Sequence, residues 1–190
     1  LFQGFISRNG ILCALLAQKG FTGPKNFLEG PWGYFHLYSG DRCDSEVLVG
    51  DLGKRFELNK TMFKSYPSCG ATIASTDAIL YLMRERELNP ENIVRIDIKV
   101  TPYTYKLVGH PFEIGEKPTV NAQFSIQYCI ANALLRRTPK LFHFEESYVT
   151  DPHITDLVKK IHVAADPALE KRCDTSADIK VITVGGAVYF

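Results

Sequence analysis

The spacing of apolar positions changes along the chain, and the change divides it. From Phe5 to Lys19, Ile11, Leu12, Leu15 and Leu16 recur at helical spacing, Ala14 and Ala17 add propensity, and Gly20 offers a left-handed stop. A buried helix with a defined end is expected. Phe21-Thr22-Gly23-Pro24 reads as a turn, and Pro24 allows a short helix carrying Phe27 and Leu28. Gly30-Pro31-Trp32-Gly33-Tyr34-Phe35 then reads as a glycine-punctuated aromatic loop. Asp44 can cap a brief helix through Val47, Leu48 and Leu52.

After Phe56, helices alternate with strands, which places a domain boundary between 1–56 and 57–190. Ala74, Ala78, Ile79 and Leu82 mark a helix from Gly70 to Leu88, followed by the turn Asn89-Pro90-Glu91-Asn92. A strand comes next, with Val94, Ile96, Ile98 and Val100 on a core face and Arg95, Asp97 and Lys99 on a wet one. Pro102 to Pro118 is polar, aromatic and long for a plain connection, so it reads as a functional loop. Thr119 or Asn121 opens a helix whose apolar stripe is Ala122, Ile126, Cys129, Ile130, Ala133 and Leu134. Its polar positions Asn121, Gln123, Ser125 and Gln127 read as an exposed side. Asp151-Pro152 starts another helix, buried through Ile154, Leu157, Val158 and Ile161. A strand with Ile179, Val181 and Thr183 against Lys180, Ile182 and Val184 closes the chain, and Gly185-Gly186 offers a hairpin turn. Two or three strands with three helices predict an α+β two-layer unit, preceded by the end of an all-helical region. Helix 5–19 is apolar on much of its surface and needs neighbours.

Composition narrows the function classes. The 190 residues are 45% hydrophobic, enough for a packed core, and the net charge of +1 gives no electrostatic footprint for nucleic acid. Five widely spaced cysteines form no CxxC pair and no zinc spacing with histidine, so free thiols in a reducing compartment and no metal are expected. The longest apolar run, Ile11 to Ala17, is too short to span a bilayer, and no signal-peptide pattern is present. A cytoplasmic protein without membrane association is expected.

The candidate chemistry lies in Lys64-Ser65-Tyr66-Pro67-Ser68-Cys69-Gly70-Ala71-Thr72. Proline fixes a turn, Ser68 can serve as N-cap, and the first helical N–H groups beside Lys64 suit a carboxylate or phosphate. A capped surface helix with a solvated lysine is the plainer alternative. His110, held between Gly109 and Pro111, can act as acid, base or carboxylate donor, whereas His153 and His162 read as surface groups. The phosphate-loop, HExxH and GxSxG patterns are absent.

Three sets of residues together resemble the MmgE/PrpD family. They are Lys64-x-Tyr66-Pro67-x-Cys69-x-x-Thr72, Asn121 through Tyr128 with its alanine-rich continuation, and the upstream Asn9-Gly10, Ala14 to Ala17 and Gly20 to Pro24. The resemblance implies the last part of a large helical domain followed by an α+β lid domain, in a fragment or one part of a split enzyme. It implies cofactor-free elimination, decarboxylation or epimerisation of a small di- or tricarboxylate, by proton transfer next to a carboxylate. The missing helical domain or subunit would supply further acid-base residues, and a homodimer is implied. Lys64 matches the family's active-site lysine, for carboxylate binding or proton donation. Tyr66, Ser68, Cys69, Thr72 and His110 are carried with it as substrate-binding candidates. The chain departs from the pattern after Thr72, where many members have histidine and this one has Ile73. That departure supports an alternative, a non-catalytic lid or assembly module that associates with a separate helical subunit.

Overall fold

The first stretch of helical spacing is realised as α1 (Phe2–Gln18). It ends as expected: Gly20 takes φ +89°, its N–H reaches the Ala17 carbonyl, and the Phe21 N–H reaches that of Leu16. The expectation of burial does not hold, because no residue of α1 is buried. Periodicity defines the face that could be covered; burial also needs a covering element.

The computed structural model describes residues 2–190 and divides into two units, one ending at Thr61 and the other running Met62–Phe190. In the first unit the residues after Pro24 form turns rather than a helix. The aromatic loop feeds α2 (Tyr34–Ser39) instead of remaining irregular. Gly33 makes this possible: a Cβ there would lie 2.5 Å from the Leu28 carbonyl oxygen. The close approach lets the Tyr34 and Phe35 N–H groups bond the carbonyls of Phe27 and Leu28 at 2.9 and 3.0 Å. Asp44 caps α3 (Ser45–Val49), accepting from the Glu46 N–H at 3.0 Å, and Leu52 lies beyond the helix.

The second unit is α+β. Its helices are α4 (Ile73–Glu85), α5 (Pro102–Val108), α6 (Pro118–Gln123), α7 (Ile126–Arg136), α8 (Glu146–Val149) and α9 (Pro152–Val158). Its strands are β1 (Ile93–Val100), β2 (Ile161–Ala165), β3 (Ala177–Thr183) and β4 (Val188–Tyr189), in the order β2-β1-β3-β4. β1 runs parallel to β2 and antiparallel to β3, and β3 forms a hairpin with β4 across Gly185-Gly186. Ile96, Ile98 and Val100 are buried in the core, which α4 covers at β3 and α7 at β2, while Arg95 and Asp97 form an ion pair at 2.7 Å on the other face.

Five expectations are corrected. Ile161 belongs to β2, not to the preceding helix: its place in the helical spacing continues into a short parallel strand that pairs with Ile96. At the start of β1, Ile93 is buried and Val94 exposed, because the register against β3 shifts between Ile93 and Arg95. The supposed loop from Pro102 begins as α5, where Thr101 accepts from the Thr104 N–H and Pro102 takes the first helical position. The helix expected from Thr119 or Asn121 is two, because Ser125 stops α6 and caps α7 by accepting from the Tyr128 N–H. Three of the polar residues read as an exposed side are tethers. The Asn121 amide donates to Ile114 O, that of Gln123 to Pro67 O and that of Gln127 to Ile161 O.

The apolar stripe itself is buried throughout, from Ala122 to Leu134. Behind it the fully buried Tyr128 hydroxyl donates to the His143 carbonyl. Arg136 binds Asn132, the Tyr148 carbonyl and Asp151, tying α7 to the cap of α9. The five cysteines are free thiols. No helix among the described residues is long and apolar enough to cross a membrane.

Candidate active site

The site is built by a turn, a clamp and a helix start, all within the second unit. Pro67 sits at the centre of a tight turn closed by the Ser68 N–H on the Tyr66 carbonyl at 2.9 Å. The end of α6 clamps the turn at two points. The Cys69 N–H donates to Gln123 O at 2.9 Å, and Gln123 Nε2 donates to Pro67 O at 3.2 Å. A short 3-10 turn, Gly70–Thr72, then leads into α4.

Ser68 is not the N-cap expected from sequence. Thr72 Oγ1 donates to Cys69 O at 2.8 Å, which leaves the Ser68 hydroxyl to donate to Thr72 Oγ1 at 2.8 Å. Both hydroxyls are buried, and they pin the turn to the helix start. Cys129 sits next to them. Burial pushes its thiol up to about 11, against the lowering effect of the Thr72 and Ser68 hydroxyls, so it stays a neutral packing group.

An open cleft of about 610 Å³ lies over this turn. Three segments bound it: residues 64–69, Gln123-Phe124, and Pro139-Lys140-Leu141. Lys64, Tyr66, Ser68 and Cys69 therefore come together as predicted site residues. Thr72 lies beneath the cleft and not on its wall, and His110 is elsewhere. The His110 ring is exposed, with Nε2 donating to Lys106 O at 3.2 Å and Tyr105 tilted against it at 5.4 Å.

Among the described residues two cations line the cleft and no carboxylate does. The Lys64 Nζ donates only weakly, to Ser68 O at 3.3 Å. Tyr66 donates to Asp77 Oδ1 at 2.6 Å, and burial, followed by that bond and the Asp77 charge, raises its phenol to about 12. It is a neutral hydrogen-bonding group across the physiological range. Such a cleft can hold a small anion, align it against neutral hydroxyl, thiol and amide groups, and offer a proton from an ammonium. Among the described residues no group of three or more His, Cys, Asp or Glu side chains is placed to hold a metal ion.

Sequence reasoning missed Lys140, and it took Gln123 for a solvated residue. Gln123 was discoverable in principle, since its side chain interrupts an apolar stripe. Lys140 sits in a polar connection after α7, and nothing local distinguishes it.

Residues 66–189 match the family model described as the MmgE/PrpD C-terminal domain, and residues 1–46 match that of the MmgE/PrpD N-terminal domain. The chain is similar to cis-aconitate decarboxylase of Aspergillus terreus (strain NIH 2624 / FGSC A1156), 26% identical over 172 residues that cover 84% of this chain and 35% of that protein. It is also similar to the cis-aconitate decarboxylase of Homo sapiens, 25% identical over 172 residues that cover 88% of this chain and 35% of that protein. For the enzyme of Mus musculus the identity is 25%, over 92% of this chain and 36% of that protein. The chain thus spans about a third of the length of the curated relatives it matches. With a C-terminal-domain match across most of its residues and an N-terminal-domain match ahead of it, the chain belongs to the MmgE/PrpD family.

Proposed function

We propose that this chain is the Lys64-bearing part of a cofactor-independent lyase or isomerase that acts on a small di- or tricarboxylate. The observation that carries the reading is the cleft, where Lys64 stands ahead of the turn into α4 and, among the described residues, no carboxylate lines the walls. Family membership and the similarity to cis-aconitate decarboxylases support the same reading. Lys64 would bind a carboxylate and stabilise charge developing on the adjacent carbon, or hand over a proton. Tyr66, Ser68 and Cys69 would complete the contact surface, with Thr72 fixing Ser68 from below; His110 lies off this cleft and is given no role in it. Dehydration, decarboxylation and epimerisation share the proton-transfer step next to a carboxylate. On this reading a helical domain or subunit supplies the remaining acid-base groups, and the active species is a homodimer.

Turnover is the test. The full-length protein is produced recombinantly and assayed by NMR against cis-aconitate, 2-methylcitrate and related acids, as wild type and as Lys64→Ala. Product formation that falls about a hundredfold or more in the variant is expected. No turnover by either, or equal turnover by both, contradicts the proposal.

A second reading has its own observation. α1 carries Phe5, Ile11, Leu12 and Leu15 exposed, which favours a module that associates through this helix without catalysis. Light scattering bears on it: a strictly monomeric, well-folded chain counts against association.

A further inference from the structure

We infer that Lys140 is a second carboxylate-binding group of the cleft and sets its preference for polyanions over monocarboxylates; this rests on the polycarboxylate reading of the Lys64 cleft. Lys140 lies 76 residues after Lys64 in the sequence, yet both line the same cavity. Its side chain is exposed and makes no ion pair among the described residues; Nζ lies 5.9 Å from the centre of the Phe142 ring. An aromatic face near an ammonium restrains the stem without neutralising the charge.

The backbone of Lys140 is held more firmly than a loop position requires. Its N–H donates to His143 Nδ1 at 3.1 Å, and the His143 N–H donates to Lys140 O at 3.1 Å. His143 is itself anchored, since the Tyr128 hydroxyl takes its carbonyl and its ring packs between Phe142 and Tyr148. The cation is thus mounted on a fixed turn that continues into the core. A single carboxylate needs one of the two lysines, whereas a di- or tricarboxylate can engage both at once. The second contact is made within an already bound complex, so it raises polyanion affinity and leaves monoanion affinity nearly unchanged.

Calorimetric titration of the full chain with propane-1,2,3-tricarboxylate, glutarate and butyrate at low ionic strength tests this. In Lys140→Met the tricarboxylate is expected to bind about tenfold more weakly, with butyrate within about twofold of wild type. Lys140→Arg should retain the preference, because it keeps the charge. Lys64→Met should weaken all three ligands. An unchanged ratio of tricarboxylate to butyrate affinity in Lys140→Met overturns the inference while the Lys64 reading stands. Failure of the wild-type chain to bind any of the three overturns both. Circular dichroism of each variant excludes unfolding as the cause of a loss.

Discussion

Replacing Gln127 with Met removes a bridge among three elements and leaves the side-chain volume nearly the same. The Gln127 carboxamide has only one orientation that satisfies its partners: Oε1 accepts from the Phe112 N–H at 2.6 Å, and Nε2 donates to Ile161 O at 2.6 Å. β2 is an edge strand, so its outward carbonyl at Ile161 has no neighbouring strand to bond. Methionine deletes both bonds and leaves a part-buried N–H and a part-buried carbonyl to find water. Each net bond contributes roughly 1 kcal/mol and each orphaned group adds to that, so a loss of about 2–3 kcal/mol is expected. Urea unfolding followed by far-UV circular dichroism measures it; fluorescence does not serve, because Trp32, the single tryptophan, lies in the first unit. With a urea slope of about 1–3 kcal/mol per molar, the midpoint should fall by about 1 M or more with no change in slope. A loss below about 0.5 kcal/mol would refute the assignment of Gln127 as a structural bridge.

Three further outcomes follow from the geometry. Arg136→Met leaves the Asp151 carboxylate without its guanidinium partner at 3.0 Å in a mostly buried setting, and should cost about 2–3 kcal/mol in the same assay. Gly109→Ala places a Cβ 2.6–2.7 Å from Tyr105, at its ring and its Cα, and should destabilise the chain by about 1–3 kcal/mol while disturbing the loop that carries His110. Burial, and then the charges of Arg136 and Lys140, hold the His143 imidazole below the usual histidine range, with the Phe142 and Tyr148 rings packed against it. The unfolded chain therefore takes up that proton first. Stability is complete above the unfolded value near 6.5, declines as pH falls from there towards the folded value, and should decline less in His143→Gln when midpoints are measured from about pH 7 to pH 5.

Much of the fold was legible because its signals were local. Ile96, Ile98 and Val100 alternate cleanly, the stripe from Ala122 to Leu134 is buried as its spacing required, and Asp44 and Asp151 cap the helices they precede. The errors arose where a tertiary partner decided the outcome. Thr101-Pro102 is the same cap-and-proline signal as Asp151-Pro152, but the aromatic and glycine residues after it obscured a helix of seven residues. Ile161 fits the helical spacing of Ile154, Leu157 and Val158, yet pairing with Ile96 makes it a strand. At the site, residues 64–69 were visible as a turn before a helix. The second wall was not, because Gln123 is brought there by bonds to Pro67 and Cys69 and Lys140 by the His143 turn.

The polycarboxylate cleft is tested most directly by titrating the isotopically labelled chain with propane-1,2,3-tricarboxylate and following the amide resonances. Saturable shifts at Ser65, Ser68, Cys69, Gln123, Lys140 and Leu141, absent in Lys64→Ala, are expected. Shifts confined to the open sheet face around Asp97, His162 and Lys180, or unchanged by Lys64→Ala, would contradict it.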